Sequence, residues 1–339
     1  MIDIHAHVVL EGVLGKAGEH GPELGTGPEG RPFFRVGTYV LDGVRYRGSP
    51  FMDVDARLRA MDEAGIDVAV LSPNPLTYFG HIEPLLAADF ARWHNDELST
   101  VVAGHPDRLR GFAQLPMQQI DLAIDELRRA AGDLGLLAPY IGTDYPTIVG
   151  AMACPIGIDD PSWDSFYEAC TELDVPVFFH PAPPGIDGPL PDPRVRRFDA
   201  DLWLSFAYEE TLAVASLVFG GVLERHPTLD VCISHGGGAV PQLAERMAHA
   251  GATRPWAPDH LRGRPDAFRI QLHRLWWDCH VGGPAALVAL RALVGDDRLV
   301  AGTNFAGWDA DIDPCHGDGA LATALVANTL RLLRLPLPA

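Results

Sequence analysis

Eight apolar runs of strand length alternate with eight amphipathic segments along the whole chain, and no other feature limits the fold as strongly. The runs fall at residues 2–5, 68–71, 109–115, 136–141, 175–180, 229–234, 275–279 and 299–303. Nearly continuous apolar character suits strands that are buried on both faces. Between and after them, residues 53–64, 83–104, 121–131, 163–173, 208–225, 240–250, 284–294 and 319–333 carry apolar side chains at helical spacing. Strands and helices in alternation imply parallel strands covered by helices. The pattern predicts an α/β fold, a TIM-like (β/α)8 barrel, as a single domain over residues 1–339.

The chain is longer than the ~250 residues typical of such a barrel. Two stretches account for the excess. Residues 10–52 separate the first strand from the first helix, starting rich in Gly and Pro and continuing into Phe33-Phe34-Arg35, Tyr39 and Arg45-Tyr46-Arg47. Residues 181–202 follow the fifth strand and open with a Pro-rich stretch over 181–193. Both insertions follow strands, so both are expected at the face where barrel enzymes build their sites.

Composition excludes several partners. The chain has 26 basic and 45 acidic residues, a net charge of −19. Such a surface repels nucleic acid and anionic membranes. No apolar stretch reaches the ~18 residues that would suggest a membrane span. The opening Met1-Ile2-Asp3-Ile4-His5 reads as a strand and not as a leader peptide. The five cysteines, Cys154, Cys170, Cys232, Cys279 and Cys315, form no C-x-x-C pair and suggest no disulfide framework. A reducing, cytoplasmic compartment is expected.

The chemistry is expected at strand ends. In Ile4-His5-Ala6-His7, alternate residues of one strand point the same way, so both imidazoles enter the barrel mouth. His180 ends the fifth run and His235 ends the sixth, leading into Gly236-Gly237-Gly238. One such histidine is ordinarily satisfied by a loop carbonyl. Four at three strand ends suggest a metal centre, and neutral imidazoles suit Zn2+ or another divalent ion.

The chain resembles the amidohydrolase superfamily, in particular the branch of 2-amino-3-carboxymuconate-6-semialdehyde decarboxylase and related aromatic-acid decarboxylases. The resemblance is carried by Ile2-Asp3-Ile4-His5-Ala6-His7, the run RLRAMDEAG from Arg57, Leu115-Pro116-Met117-Gln118 and Phe179-His180-Pro181. It continues through Glu210-Thr211, Gly220-Gly221-Val222, HGGGAVP from His235, Arg246 and Arg254-Pro255. It implies that His5, His7 and His180 hold the metal and that His235 assists proton transfer. It implies that Arg254 reaches a neighbouring subunit's site to bind a substrate carboxylate, which requires a homodimer or larger. A second carboxylate-binding arginine is implied in the first insertion. Counting from Asp42-Gly43 selects Arg47 and counting back from Asp53 selects Arg45. Tyr46-Arg47 resembles the family's aromatic-Arg pair, which favours Arg47.

One position departs from the pattern. The family usually has Asp after the eighth strand, whereas this chain has Gly302-Thr303-Asn304-Phe305. Asn304 keeps the shape at the metal position but carries no charge, and an amide oxygen is a weaker ligand than a carboxylate. The loss would acidify a water held at the ion or weaken retention of the metal, unless a neighbour such as Asp309 compensates. Trp308 is a candidate for the pocket wall, with ordinary packing as the alternative. The leading expectation is a metal-dependent non-oxidative decarboxylase of a small unsaturated or aromatic carboxylic acid. The alternatives are a hydratase or hydrolase on the same scaffold, resembling 4-oxalomesaconate hydratase, and a non-catalytic binding protein with a degraded metal site.

Overall fold

A computed structural model of the protein describes residues 1–149, 152–155, 157–186 and 192–336. Cys154 and residues 187–191 of the Pro-rich stretch, both noted in the sequence, lie outside the described side chains and residues respectively. Eight parallel strands form the centre: β1 (Ile2–Val8), β2 (Val68–Pro73), β3 (Leu109–Gly111), β4 (Tyr140–Ile141), β5 (Val177–Phe179), β6 (Val231–Ile233), β7 (Trp276–Asp278) and β8 (Leu299–Val300). They pair in chain order, β1 with β2 and β2 with β3, then β4 successively through to β8. Two contacts close the ring: a bridge between Ala113 and Pro139, and the hydrogen bond from Ile4 N to Ala301 O at 2.9 Å.

The period-two rule sorts side chains between two cores. Phe178 and Cys232 pack inside the ring with Ile2, Ile4, Val70, Phe112, Tyr140, Trp276 and Val300. Their neighbours Val177, Phe179, Val231 and Ile233 face outward under the helices. The main covering helices are α1 (Val54–Ala64), α2 (Pro84–Gly104), α3 (Ile120–Gly132), α4 (Asp164–Glu172), α5 (Ser205–Phe219), α6 (Val240–Thr253), α7 (Pro284–Val294) and α8 (Gly319–Leu332).

Local chemistry sets the boundaries. Asp53 caps α1 by accepting from Ala56 N at 2.7 Å, and Asp318 caps α8 in the same way. The single helix expected over 208–225 is two, because the chain breaks after Phe219 at Gly220-Gly221 and resumes as Val222–Arg225. Strands three, four and eight are shorter than their apolar runs. The remaining residues of those runs are buried, Leu137 only partly, but lie outside the regular ladders.

Three features sit between strands and their helices. An antiparallel sheet of Glu23–Thr26, Pro32–Val36 and Tyr39–Asp42 lies between β1 and α1. The helical segments Pro193–Asp199 and Ala200–Trp203 lie between β5 and α5. A hairpin of Pro146–Val149 and Met152–Pro155 follows β4, in a stretch with no strand pattern in its sequence. Among the described residues no single helix is long and apolar enough to cross a membrane.

Candidate metal centre

The site begins with an irregularity in β1. Its register against β2 shifts between Asp3 and Ala6. Ile2 and Ile4 pack inside the ring while Ala6 packs outside it. The shift therefore lets His5 follow Ile4 inward, the way a bulge re-aims a strand. Asp3 holds the distortion: it accepts from His5 N at 3.0 Å, from Thr303 N at 3.1 Å and from Thr303 Oγ1 at 2.7 Å.

His7 follows two residues on, His180 follows β5 and His235 follows β6. Their rings gather with His5 at the mouth. Ring centres of His5 lie 5.0 Å from His7, 5.0 Å from His180 and 4.8 Å from His235. Those of His7 and His180 are 4.7 Å apart.

The hydrogen bonds give all four rings the same tautomer. His5 Nδ1 donates to Asp278 Oδ2 at 2.5 Å, and His7 Nδ1 donates to Pro73 O at 3.0 Å. His180 Nδ1 donates to Pro181 O at 2.7 Å, and His235 Nδ1 donates to Glu210 Oε1 at 2.5 Å. Carbonyls and carboxylates can only accept, so each Nδ1 carries a proton, and wherever the ring is neutral Nε2 keeps a lone pair. Metal-ligating histidines have this arrangement, with the outer nitrogen fixed by a carbonyl or carboxylate. His5 Nε2 is buried and has no hydrogen-bond partner among the described residues. An orphaned buried acceptor beside other imidazoles fits a divalent cation.

Electrostatics divide the four. Burial, then the neighbouring histidines, hold His5 and His180 well below the ordinary imidazole range, and burial brings His7 down to about 3. These rings stay neutral, as ligands must. His235 goes the other way. Burial is the largest influence and opposes its charge, but the Glu210, Asp278 and Asp309 carboxylates together raise its pKa. Nitrogen atoms of His5, His180 and His235 come within 4.8 Å of one another, which makes His235 a geometric candidate in place of His7. The charge of Glu210 favours a protonated His235, which competes with a metal.

Residues not singled out in the sequence complete the centre. Asp278 is buried and clamps both His5 and the amide of His280, whose nitrogen donates to Asp278 Oδ1 at 2.8 Å. A Cβ at residue 302 would lie 1.9 Å from Asp278 Oδ1, so only glycine fits there. Glu210 had been noted only within a motif. It is fully buried on α5 and accepts from both His235 and Ser234. The signal for Asp278 and His280 was available: Asp278-Cys279-His280 ends β7 with the same alternation as His5-Ala6-His7.

Beside the histidines opens a cavity of about 790 Å3. His7, His180 and Asn304 line it, with aromatic walls from Tyr39, Tyr46, Phe206 and Trp308. Trp308 is 69% exposed, so it serves the wall and not the core. Asn304 has a left-handed backbone, φ 46°. Arg196 also lines the cavity, stacking 4.4 Å from the Tyr39 ring centre and pairing with Asp201 at 2.9 Å. Its place in the cavity is not legible from spacing, because a loop side chain has no fixed direction.

The arginines expected to bind substrate lie elsewhere in the single chain. Arg47 is exposed and bonded to Glu11 through two nitrogens, at 2.5 and 3.2 Å. Neither it nor exposed Arg45 lines the cavity, although their neighbours Val44 and Tyr46 do. Arg254 is exposed at the C-terminal end of α6, outside the cavity.

The amidohydrolase family model matches residues 2–330. The 2-amino-3-carboxymuconate-6-semialdehyde decarboxylase of Dictyostelium discoideum is 32% identical over 269 residues, 78% of this chain and 70% of that protein. The gamma-resorcylate decarboxylase of Rhodococcus jostii (strain RHA1) is 33% identical over 204 residues, 58% of this chain and 60% of its own length. In three dimensions the chain resembles a dihydroxybenzoic acid decarboxylase of Polaromonas sp. JS666 with bound manganese and 2-nitroresorcinol. The TM-score is 0.76 at 24% identity, covering 98% of this chain and 96% of that one. The chain belongs to the amidohydrolase family, in the branch of 2-amino-3-carboxymuconate-6-semialdehyde decarboxylase and its carboxy-lyase relatives.

Proposed function

We propose that this chain is a metal-dependent, non-oxidative decarboxylase of a small aromatic or unsaturated carboxylic acid. The observation that carries the reading is the set of four strand-end histidines with every Nδ1 engaged by an acceptor, which leaves Nε2 of the neutral His5, His7 and His180 rings as a lone pair. His5, His7 and His180 would hold Zn2+ or another divalent ion such as Mn2+, with Asn304 as an oxygen donor. When bound, the ion supplies a Lewis-acidic centre that draws electron density from substrate oxygens.

The protein's own groups do the rest. The aromatic walls favour a flat substrate beside the histidines. Loss of CO2 breaks the carbon–carboxylate bond and leaves its electron pair on the substrate carbon. Protonated His235 then delivers a proton to that carbon, and Glu210 stabilises the imidazolium until transfer. Arg254 is assigned to a neighbouring subunit's site in a homodimer. Arg47 would have to leave Glu11 to meet a carboxylate, whereas Arg196 already faces the cavity. The four described free cysteines are all buried, in keeping with a cytoplasmic protein.

The test is CO2 release from metal-loaded protein given gamma-resorcylate and 2-amino-3-carboxymuconate 6-semialdehyde. Release should stop on chelation and return with Mn2+ or Zn2+. Addition of water to an unsaturated acid without CO2 release would establish the hydratase reading instead. Failure to bind any divalent ion would leave a binding protein.

A further inference from the structure

The loop after β8 supplies a carboxylate beside the position where one is missing. Asn304 O accepts from Gly307 N at 2.8 Å, and Asp311 N donates to Thr303 O at 2.9 Å. The chain doubles back through left-handed Asn304 and Ala306 and returns Asp309 to Asn304. A Cβ at residue 307 would sit 2.6 to 2.7 Å from the Asn304 amide atoms, so this amide lies against a bare glycine Cα. Asn304 Nδ2 donates to Asp309 Oδ1 at 2.6 Å. The other oxygen of Asp309 accepts from His280 Nε2 at 3.3 Å. His280 is buried, its ring 5.6 Å from that of His5 and 5.5 Å from that of His235, and its Nδ1 has no hydrogen-bond partner among the described residues.

An amide has one donor end and one acceptor end. With the donor end committed to Asp309, the oxygen of Asn304 is the atom left to meet a cation in the cavity. A hydrogen bond to a carboxylate is charge-assisted and polarises the amide, which makes that oxygen more negative. The negative charge itself lies one hydrogen bond further out than in a chain with Asp at 304.

We propose that Asp309 is a positioning residue for the metal centre: it turns Asn304 into a working oxygen donor and returns the missing negative charge to the site. The ligand is a divalent cation, so the inference rests on the metal-dependent reading above. It adds that the charge has moved from residue 304 to residue 309. The exchange Asn304→Asp with Asp309→Asn should therefore be tolerated as a pair.

The test titrates metal-free protein with Mn2+ and, separately, Zn2+ by calorimetry, without substrate. Asp309→Asn keeps a hydrogen bond to Asn304 but removes the charge, and should weaken affinity by about 10- to 100-fold, the effect usual for an outer-shell partner. The double variant Asn304→Asp/Asp309→Asn should recover to within about threefold of wild type, a rescue that a merely structural role for Asp309 would not produce. Circular dichroism and melting of the metal-free proteins check folding. If Asp309→Asn melts early, comparison of the double variant with wild type still decides. Affinity unchanged in Asp309→Asn, or a well-folded double variant that stays weak, overturns the assignment of Asp309 and leaves the metal reading intact. Wild type that binds neither ion overturns both.

Discussion

Gly238→Ala tests how tightly the His235 loop is specified. Gly238 has φ 62°, and a Cβ there would lie 2.2 Å from Ala207 O and 2.7 Å from Ala207 Cα. Those atoms belong to the backbone of α5, the helix that carries Glu210, and cannot swing aside as a side chain would. With ψ −117° Gly238 lies outside the left-handed helical region, in a conformation that costs alanine about 1–3 kcal/mol. Forcing a methyl against packed backbone adds about 1–3 kcal/mol. The reduced freedom of alanine in the unfolded chain offsets about 0.4–1 kcal/mol. The net is about 2–5 kcal/mol. At about 2.1 cal/mol/K per residue the unfolding entropy of a chain this size is ~0.7 kcal/mol/K, so Tm should fall by about 3–7 °C. Melting should be followed on metal-free protein, because a bound ion stabilises the folded state by mass action. The same strain parts α5 from the His235 loop, so turnover should fall while His5, His7 and His180 keep a divalent ion. A Tm within about 1 °C of wild type, with turnover unchanged, would show that the loop reaches the same geometry without glycine.

Three further outcomes are expected. Metal analysis should find about one divalent ion per chain, lost in His5→Ala and His180→Ala and in His7→Ala but kept in His235→Ala; loss in His235→Ala with retention in His7→Ala would make the geometric trio the ligand set. Mixing an inactive Arg254→Ala chain with an inactive His235→Ala chain should restore activity, because a mixed dimer holds one intact composite site, and full activity in a strictly monomeric preparation refutes the shared site. His94 on α2 is buried, neither ring nitrogen has a close hydrogen-bond partner among the described residues, and burial, opposed weakly by Asn95, lowers its pKa to about 4. The unfolded chain protonates it near 6.5, so the unfolded state binds the extra proton and stability falls as pH drops from about 6.5 towards 4. At ~1.4 kcal/mol per pH unit, His94→Leu should gain about 2 kcal/mol on wild type between pH 7.5 and 5 in urea melts of metal-free protein, and parallel pH curves would refute the reasoning.

The strands and most helices could be read from the chain because burial on two faces leaves little freedom of composition. His5, His7, His180 and His235 stood out as polar residues ending apolar runs. Their order around the ring followed from the barrel. What could not be read depends on side-chain direction in loops. Arg47 and Arg196 are both arginines after barrel strands, yet one pairs with Glu11 on the surface and the other stacks on Tyr39 in the cavity. Asp309 lies five residues from Asn304, and only the turn through Gly307 brings the two together. Asp278 was missed for a different reason: a carboxylate ending a strand reads as the start of a loop unless its spacing to His280 is noticed.

The histidines stand on strand ends locked into the ring, whereas the cavity wall comes from two connections far apart in sequence. Tyr39 closes the antiparallel sheet after β1. Its hydroxyl donates to Asp201, in the segment after β5, at 2.9 Å. That bond and the stacking of Arg196 on Tyr39 join two pieces of wall far apart in sequence. Insertions or replacements in either piece can redraw the shape offered to a substrate while every imidazole keeps its Nδ1 partner. Lineages built on this scaffold are thus free to diversify what they consume at little risk to how they react with it, and the Tyr39–Asp201 seam is where two such changes would have to agree.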